Sequence, residues 1–531
     1  MGVRFRRFPS PSGLALTGLM VLALQAHSAA ADVGPKDIRI GTNQDWQEMA
    51  REVRGITIEN GMAVVTGETA LYRSKVVARG NRSRLRGLVA EPSVAWKNWQ
   101  PVGKVGPTNI EDAPVFLVRG DKDYWLMGLY NGKAKDRSGF QAKPAMLEGF
   151  DVPLLTTPYE RQYDAPGGLQ PGLGGYHAWQ SRDMVHWVHH GPVTERFSRW
   201  VTTAEMVDGK TYIYYDFPND QDPHLYVDDD LTDGRPGKNM GVAFRSATDG
   251  SDCAVIRGLD GGFHLIYEDW SPVDASTHSW DSPLAGHAVS DDGMKDFRIL
   301  SPAVDERTTP TGVFKEFAHP HWHAEDPARF PGRPSAVDIR KHGIKAGDIR
   351  AFARYEVHEP EQNAYGDWAA ISIGGHYYLF GDFHPAGSEK TNEMGMAIFS
   401  SSGIDKPFEF RGKLGSGHPD PDIGFAEGQF YLINQTANDY VSPGPWIGDV
   451  EARAGVDTDG DGGIDQWTEW RLIRETYEAI EGFAKQVKRH PAELDATSLP
   501  AGLGFGFELR IKNTGTAAKP EIDSIRLEFE D

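Results

Sequence analysis

The sequence predicts an all-β fold, a five-bladed β-propeller with an accessory β-sandwich formed from the N- and C-terminal segments. Three observations predict it. One hairpin pattern recurs five times through the middle of the chain. The flanks alternate apolar and polar residues in the strand period of two but lack that repeat. The composition, 60 glycines and 11% aromatic residues in 531, suits turn-rich β structure.

The first residues carry an export pattern. Arg4, Arg6 and Arg7 precede a short apolar run from Leu14 to Leu24, and Ala29, Ala30 and Ala31 offer a small-residue cleavage site. Residues 1–31 are expected to be a signal peptide, and the mature chain a secreted or periplasmic protein. No later stretch is long and apolar enough to suggest a membrane span. Cys253 is the single cysteine, so no internal disulfide can form and packing must hold the fold. A formal net charge of −21 excludes a nucleic-acid partner, because phosphates would meet repulsion.

The repeat runs from an acidic or polar start through small and β-branched residues, turns at glycine, and returns through aromatics. Its copies begin at Asp112-Ala-Pro-Val-Phe, Thr203-Ala-Glu-Met, Asp252-Cys-Ala-Val, Asp367-Trp-Ala-Ala and Asp422-Ile-Gly-Phe. Each is followed by an aromatic-rich second strand, such as Thr211-Tyr-Ile-Tyr-Tyr or His376-Tyr-Tyr-Leu-Phe. Outer strands echo one another at Ala178-Trp-Gln-Ser, Ala288-Val-Ser and Met396-Ala-Ile-Phe-Ser-Ser, each closed by a Ser/Asp turn. Two hairpins per repeat make a four-stranded sheet, and radial stacking buries both faces of every sheet. The expected divisions are 32–104 for the first half of the sandwich, 105–442 for the propeller and 443–531 for the second half.

In a propeller the innermost strands line a funnel, so acids at their starts converge. Asp112, Asp252 and Asp367 hold the same place in three repeats and are the candidate catalytic residues. A set of carboxylates suits cleavage of an acetal: one activates water, one donates a proton, and a third raises the donor's pKa. The candidate substrate-binding residues are Glu205, His278, His287, Trp280, Trp322 and Trp368. Aromatic rings stack on sugar faces, and a histidine can substitute as proton donor. His319, His321 and His323 alternate, so one extended face could present all three to a metal or leave them in a polar loop.

Three segments resemble glycoside hydrolase family 43 and its relatives, families 32 and 117. Asp112-Ala-Pro-Val-Phe is similar to the strand holding that family's general base. The stretch from Asp252 to Leu259-Asp-Gly-Gly-Phe-His-Leu-Ile-Tyr resembles the strand bearing its pKa-modulating aspartate. Gly415-Ser-Gly-His-Pro resembles the glycine-rich turn whose histidine faces the channel near a calcium ion, which implies a second ion beside His418. The chain departs from the pattern at Asp367, where the family has a glutamate acid, and at Glu205, where it has an aspartate. The resemblance implies inversion at the anomeric carbon, exo-action and a plant or algal oligo- or polysaccharide substrate. A retaining hydrolase, a non-catalytic carbohydrate-binding propeller and a polysaccharide lyase are the alternatives.

A separate metal motif lies beyond the repeats. Asp457-Thr-Asp-Gly-Asp-Gly-Gly-Ile-Asp spaces oxygen ligands at alternate positions with glycines for the turn. That pattern predicts a structural Ca²⁺ held by Asp457, Asp459, Asp461 and Asp465.

Overall fold

The computed structural model describes residues 37–92, 99–107, 110–130, 145–146, 153–154, 162–164, 175–195, 198, 200–216, 222–245, 252–269, 282, 284–305, 363–386, 393–444, 449–512 and 521–530. Its described residues are almost entirely strand, with one short helix at Asn43–Met49 capped by Thr42.

Five sheets fill the middle of the chain, and their first strands lie innermost. These are Ile110–Gly120, Val201–Val207, Ala254–Arg257, Ala364–Ile373 and Asp422–Ala426. Each touches the next in order, and the fifth touches the first, so the inner strands close a circle. Within each sheet the chain runs outward through antiparallel neighbours. The fifth sheet is completed from elsewhere, by Gln100–Gly103, which pairs with Asp439–Ser442.

The packing follows from period-two strands that are apolar on both sides. Val115 and Leu117 join a core with Val201, Ala204 and Ile213 of the second sheet. The alternate residues, Phe116 and Val118, join a core with Ala426 and Ile433 of the fifth. Likewise Val255 packs toward the second sheet, while Ala254 and Ile256 pack toward the fourth. A further core joins the fourth sheet to the fifth through Ile371, Phe380, Ile423 and Phe430. Every seam of the circle is thus a buried apolar layer, which no single sheet could supply for itself. Gly424 is needed at the closing seam, because a Cβ there would sit 2.5 Å from Phe116 Cε1.

The turn after each third strand is built the same way five times. The side chains of Ser181, Asp228, Ser290, Ser401 and Ser442 accept a hydrogen bond from the backbone N–H two residues on. Such turns need no help from distant residues, which makes them readable locally.

The chain's two ends fold together. One sheet orders Ile56–Glu59, Met62–Val65, Glu521–Phe529, Leu85–Pro92 and Ala492–Asp495, and a second joins Ala50–Arg54, Thr69–Ser74, Gly502–Lys512 and Asp449–Asp457. They share one core that includes Trp46, Tyr72, Phe505, Phe507 and Leu527. One part of the C-terminal segment leaves this pair. Thr476–Ala479 and Gln486–His490 extend the fourth sheet of the circle, with Ser372 and Ile373 pairing parallel to Gln486 and Val487.

Candidate active site

Strain of one kind recurs at the head of four inner strands, just before the strand in three of them and inside Ala364–Ile373, at an irregularity in its pairing, in the fourth. Trp200, Asp252, Asp367 and Asp420 all adopt left-handed backbone, with φ of 54°, 48°, 50° and 40°. Non-glycine residues pay for this conformation, and it clusters where function demands an exact aim. In the fifth sheet the acid in register with Asp252 and Asp367 is therefore Asp420, two residues before the Asp422 at which the sequence repeat begins.

These turns are pinned by acids at or near the ends of second strands. Asp216 Oδ2 accepts the Asp252 N–H at 2.7 Å, and Asp382 Oδ1 accepts the Asp420 N–H at 2.8 Å. The Trp368 N–H donates to the Asp252 carbonyl at 3.0 Å, tying the third sheet to the fourth. A cleft opens at this end of the circle, lined by residues of all five inner strands or their leads, including Pro114, Val201, Asp252, Asp367, Asp420 and Asp422.

Carboxylates crowd this cleft. Asp252, Glu268 and Asp367 each offer an oxygen within 4.8 Å of the others, and Asp367, Asp382, His418 and Asp420 form a second such group. Burial, with the charge of Asp420 behind it, raises Asp252 to about 6. Burial raises Asp367 well above the usual carboxyl range, reinforced by Asp252, Asp420, Asp382 and Glu268. The two side chains hydrogen bond to each other. His418 Nδ1 lies 2.8 Å from Asp420 Oδ1 and 3.0 Å from Asp382 Oδ2. Against burial, which lowers it, those two carboxylates lift its pKa to about 12. Gln435 Nε2 donates to the other oxygen of Asp420. The site thus combines a carboxyl whose pKa is raised well above the usual range, a neighbouring carboxyl raised to about 6, and a histidine held as a cation by two carboxylates.

The other candidates are distributed as follows. Asp112 lies in the first inner strand, and its side chain is outside the described residues. His278, Trp280, His319, His321, Trp322 and His323 are also outside them. Three expected substrate contacts need correction. Glu205 is fully buried and accepts N–H bonds from Met206, Ala484 and Arg257, so it braces the circle and cannot meet a ligand. His287 is buried in the third sheet with its Nε2 2.9 Å from His264 Nδ1, away from the cleft. Trp368 borders the cleft, but its ring is 1% exposed and packs on Tyr365 and Phe399. In the acidic loop, Asp457, Asp459 and Asp465 bring oxygens within 4.8 Å of one another. Asp461, the fourth expected ligand, accepts the Gly463 N–H through its Oδ1.

The residues that sequence analysis missed are Asp216, Glu268, Asp382 and Asp420. A signal existed: an acid follows the apolar run of the second strand in Tyr-Tyr-Asp216, Ile-Tyr-Glu268 and Phe-Gly-Asp382, at the strand's end in the first two and two residues before it in the third.

Neither a family model nor a curated protein sequence matches the chain. Among solved structures it is similar to a thermostable family-43 glycoside hydrolase, with 10% identity over 75% of this chain and 96% of that one, at a TM-score of 0.34. It is also similar to an exo-1,5-α-L-arabinanase from a bovine ruminal metagenomic library, with 13% identity, 69% and 97% coverage and a TM-score of 0.33. An exo-β-1,3-galactanase from Phanerochaete chrysosporium shows 8% identity, 83% and 100% coverage and a TM-score of 0.35. Likeness at this level carries no argument about function, which rests on the cleft.

Proposed function

We propose that the chain is an exported glycoside hydrolase acting on plant or algal oligo- or polysaccharides from a five-bladed propeller, with its terminal sheets as an accessory sandwich. One observation carries the reading: Asp252 and Asp367 meet in one cleft, where burial and like charge raise the pKa of the second well above the usual carboxyl range. Hydrolysis of an acetal needs such a proton, delivered to the leaving oxygen, together with a carboxylate that activates water. Asp367 is the donor in this reading and Asp252 the group that keeps its pKa high. Asp112, in the first inner strand across the circle from them, is the base. Exo-action and inversion follow from the family resemblance; for inversion, base and acid would stand about 6.5–9.5 Å apart.

Two calcium ions belong to the same proposal. The loop carboxylates of Asp457, Asp459 and Asp465 fit a hard cation, which would neutralise them and fix the loop. A second ion beside His418 would take its hard donors from the carboxylates of Asp382 and Asp420, and the His418 ring, which those acids hold protonated, would have to give up its Nδ1 proton as the ion binds.

The test is a panel of arabinan, xylan, galactan and algal oligosaccharides, followed by release of reducing ends. The wild-type chain cleaves at least one of them, and Asp112→Asn and Asp367→Asn lose that activity while staying folded. Full activity in both variants would remove the proposal.

A further inference from the structure

The end of the circle opposite the acids is closed by a segment that belongs to none of the five repeats. Three consecutive residues there bond to all five sheets. The Ala484 N–H donates to Glu205 Oε1 of the second sheet at 2.7 Å. Gln486 Nε2 donates to the Arg257 carbonyl of the third at 2.7 Å. The Lys485 carbonyl accepts the Ser372 N–H of the fourth at 2.8 Å. Lys485 Nζ completes the set, donating to Phe116 O of the first sheet at 2.8 Å, and to Asp422 Oδ1 and Ile423 O of the fifth at 2.6 and 2.8 Å.

Lys485 is 1% exposed, and an ammonium group has three donors, so these three acceptors satisfy it fully. They lie on the two inner strands whose seam closes the circle. Asp422 adds to the same seam, since its Oδ2 accepts the Phe116 N–H at 2.7 Å. Both strands lead directly into the cleft: one carries Asp112, and the other follows Asp420 by two residues. The spacing between the proposed base and the acid cluster therefore depends on how these strands are held together.

We infer that Lys485 is a positioning residue, which bolts the first and fifth inner strands together and thereby sets the geometry of the carboxylates at the far end. The inference rests on the hydrolase reading for its consequence in catalysis, and on the hydrogen bonds alone for the bolt. A misplacement of about 1 Å at a reacting group can cost about 10²-fold in rate. Tying strands is also a structural role, so the test must separate position from stability.

Three variants do so: Lys485→Met, Lys485→Arg and the double variant Asp422→Asn with Lys485→Met. Removing one partner of a buried ion pair leaves an unpaired charge, whereas removing both is often tolerated. Each variant is assayed well below its unfolding temperature. Lys485→Met is expected to lower kcat by about 30-fold or more with KM changed by no more than about threefold. Lys485→Arg keeps the charge and falls between Lys485→Met and wild type. The double variant recovers the melting temperature but not kcat, because the bonds to Phe116 and Ile423 remain lost. Recovery of kcat together with stability, or a single-variant loss that only follows the folded fraction, would overturn the inference.

Hydrogen exchange supplies an arm that needs no substrate. In Lys485→Met, amides of residues 113–119 and 419–426 exchange about tenfold faster or more, while residues 502–511 of the terminal sheets keep their protection. Unchanged exchange in the first two segments would refute the bolt. If wild type cleaves no glycan but this pattern holds, the hydrolase reading fails and the bolt stands.

Discussion

The two ends of the circle of sheets treat buried charge in opposite ways. From the closed end, Lys485 reaches Asp422, itself a lining residue of the cleft, and two carbonyls, and Glu205 accepts three backbone N–H groups. At the open end, Asp252, Glu268, Asp367, Asp382 and Asp420 gather around His418. Both ends bury acids, yet only one pairs them in the manner that stability favours. The strained φ angles at Trp200, Asp252, Asp367 and Asp420 lie at the open end too. Burial of a carboxylate is therefore not by itself a sign of chemistry. The sign is five acids crowded about a single cation, His418, and maintained against strain.

That contrast can be broken most sharply at Asp367. Replacing it with Asn should cost about 10²–10⁴-fold in kcat, the usual worth of a proton donor, with no loss of folding. A steady-state assay on whichever oligosaccharide the wild type cleaves checks this. Glu205→Gln, at the closed end, should do the reverse. It should lower the melting temperature while leaving kcat and KM within about threefold, because a buried acceptor of three N–H bonds is weakened and no ligand contact is lost.

Asp252→Asn sharpens the comparison through pH. The folded-state pKa of Asp252 is raised to about 6 from an ordinary 3.8, so ionising it opposes folding. Its favourable contribution is complete below 3.8 and is lost as pH rises through about 6. The Asn variant should thus be more stable than wild type above pH 6, by on the order of 3 kcal/mol, and should show no advantage below pH 4. Calorimetry across pH 4–8 measures it. A site that trades stability for function behaves in this way, and a structural ion pair does not.

The smallest effect should come from the acidic loop, far from either end. If Asp457, Asp459 and Asp465 hold Ca²⁺, chelation lowers the melting temperature, by about 3 kcal/mol of linked stability when the ion had stood at 100 times its Kd. Asp459→Ala should abolish that response without changing kcat, and unaltered melting of wild type on chelation would speak against the ion.

Much of the circle was legible in the sequence because its signals are local. Hairpins show as paired apolar runs, and the Ser181, Ser290 and Ser401 turns repeat within a few residues of each strand. The placement of Asp252 and Asp367 at inner-strand starts was legible for the same reason. Register was harder. Asp422 and Asp420 are equally plausible strand starts by pattern, and only backbone conformation shows that Asp420 matches Asp367. His287 sits beside a polar stretch that invites a binding role, but its partner His264 is a strand away and could not be paired from sequence. The bolt was invisible, because Lys485 and Phe116 are separated by 369 positions and nothing around Lys485 marks it as buried. Long-range satisfaction of a charge leaves no local trace.

The proposed proton donor, Asp367, must keep its proton at neutral pH, which its burial among other acids favours. Infrared difference spectroscopy in the carbonyl-stretch region, comparing wild type with Asp367→Asn at pH 7, tests it without any substrate. The account predicts a protonated-carboxyl band in wild type that is missing from the variant. Identical spectra, with every carboxyl of the cleft ionised at that pH, would contradict it.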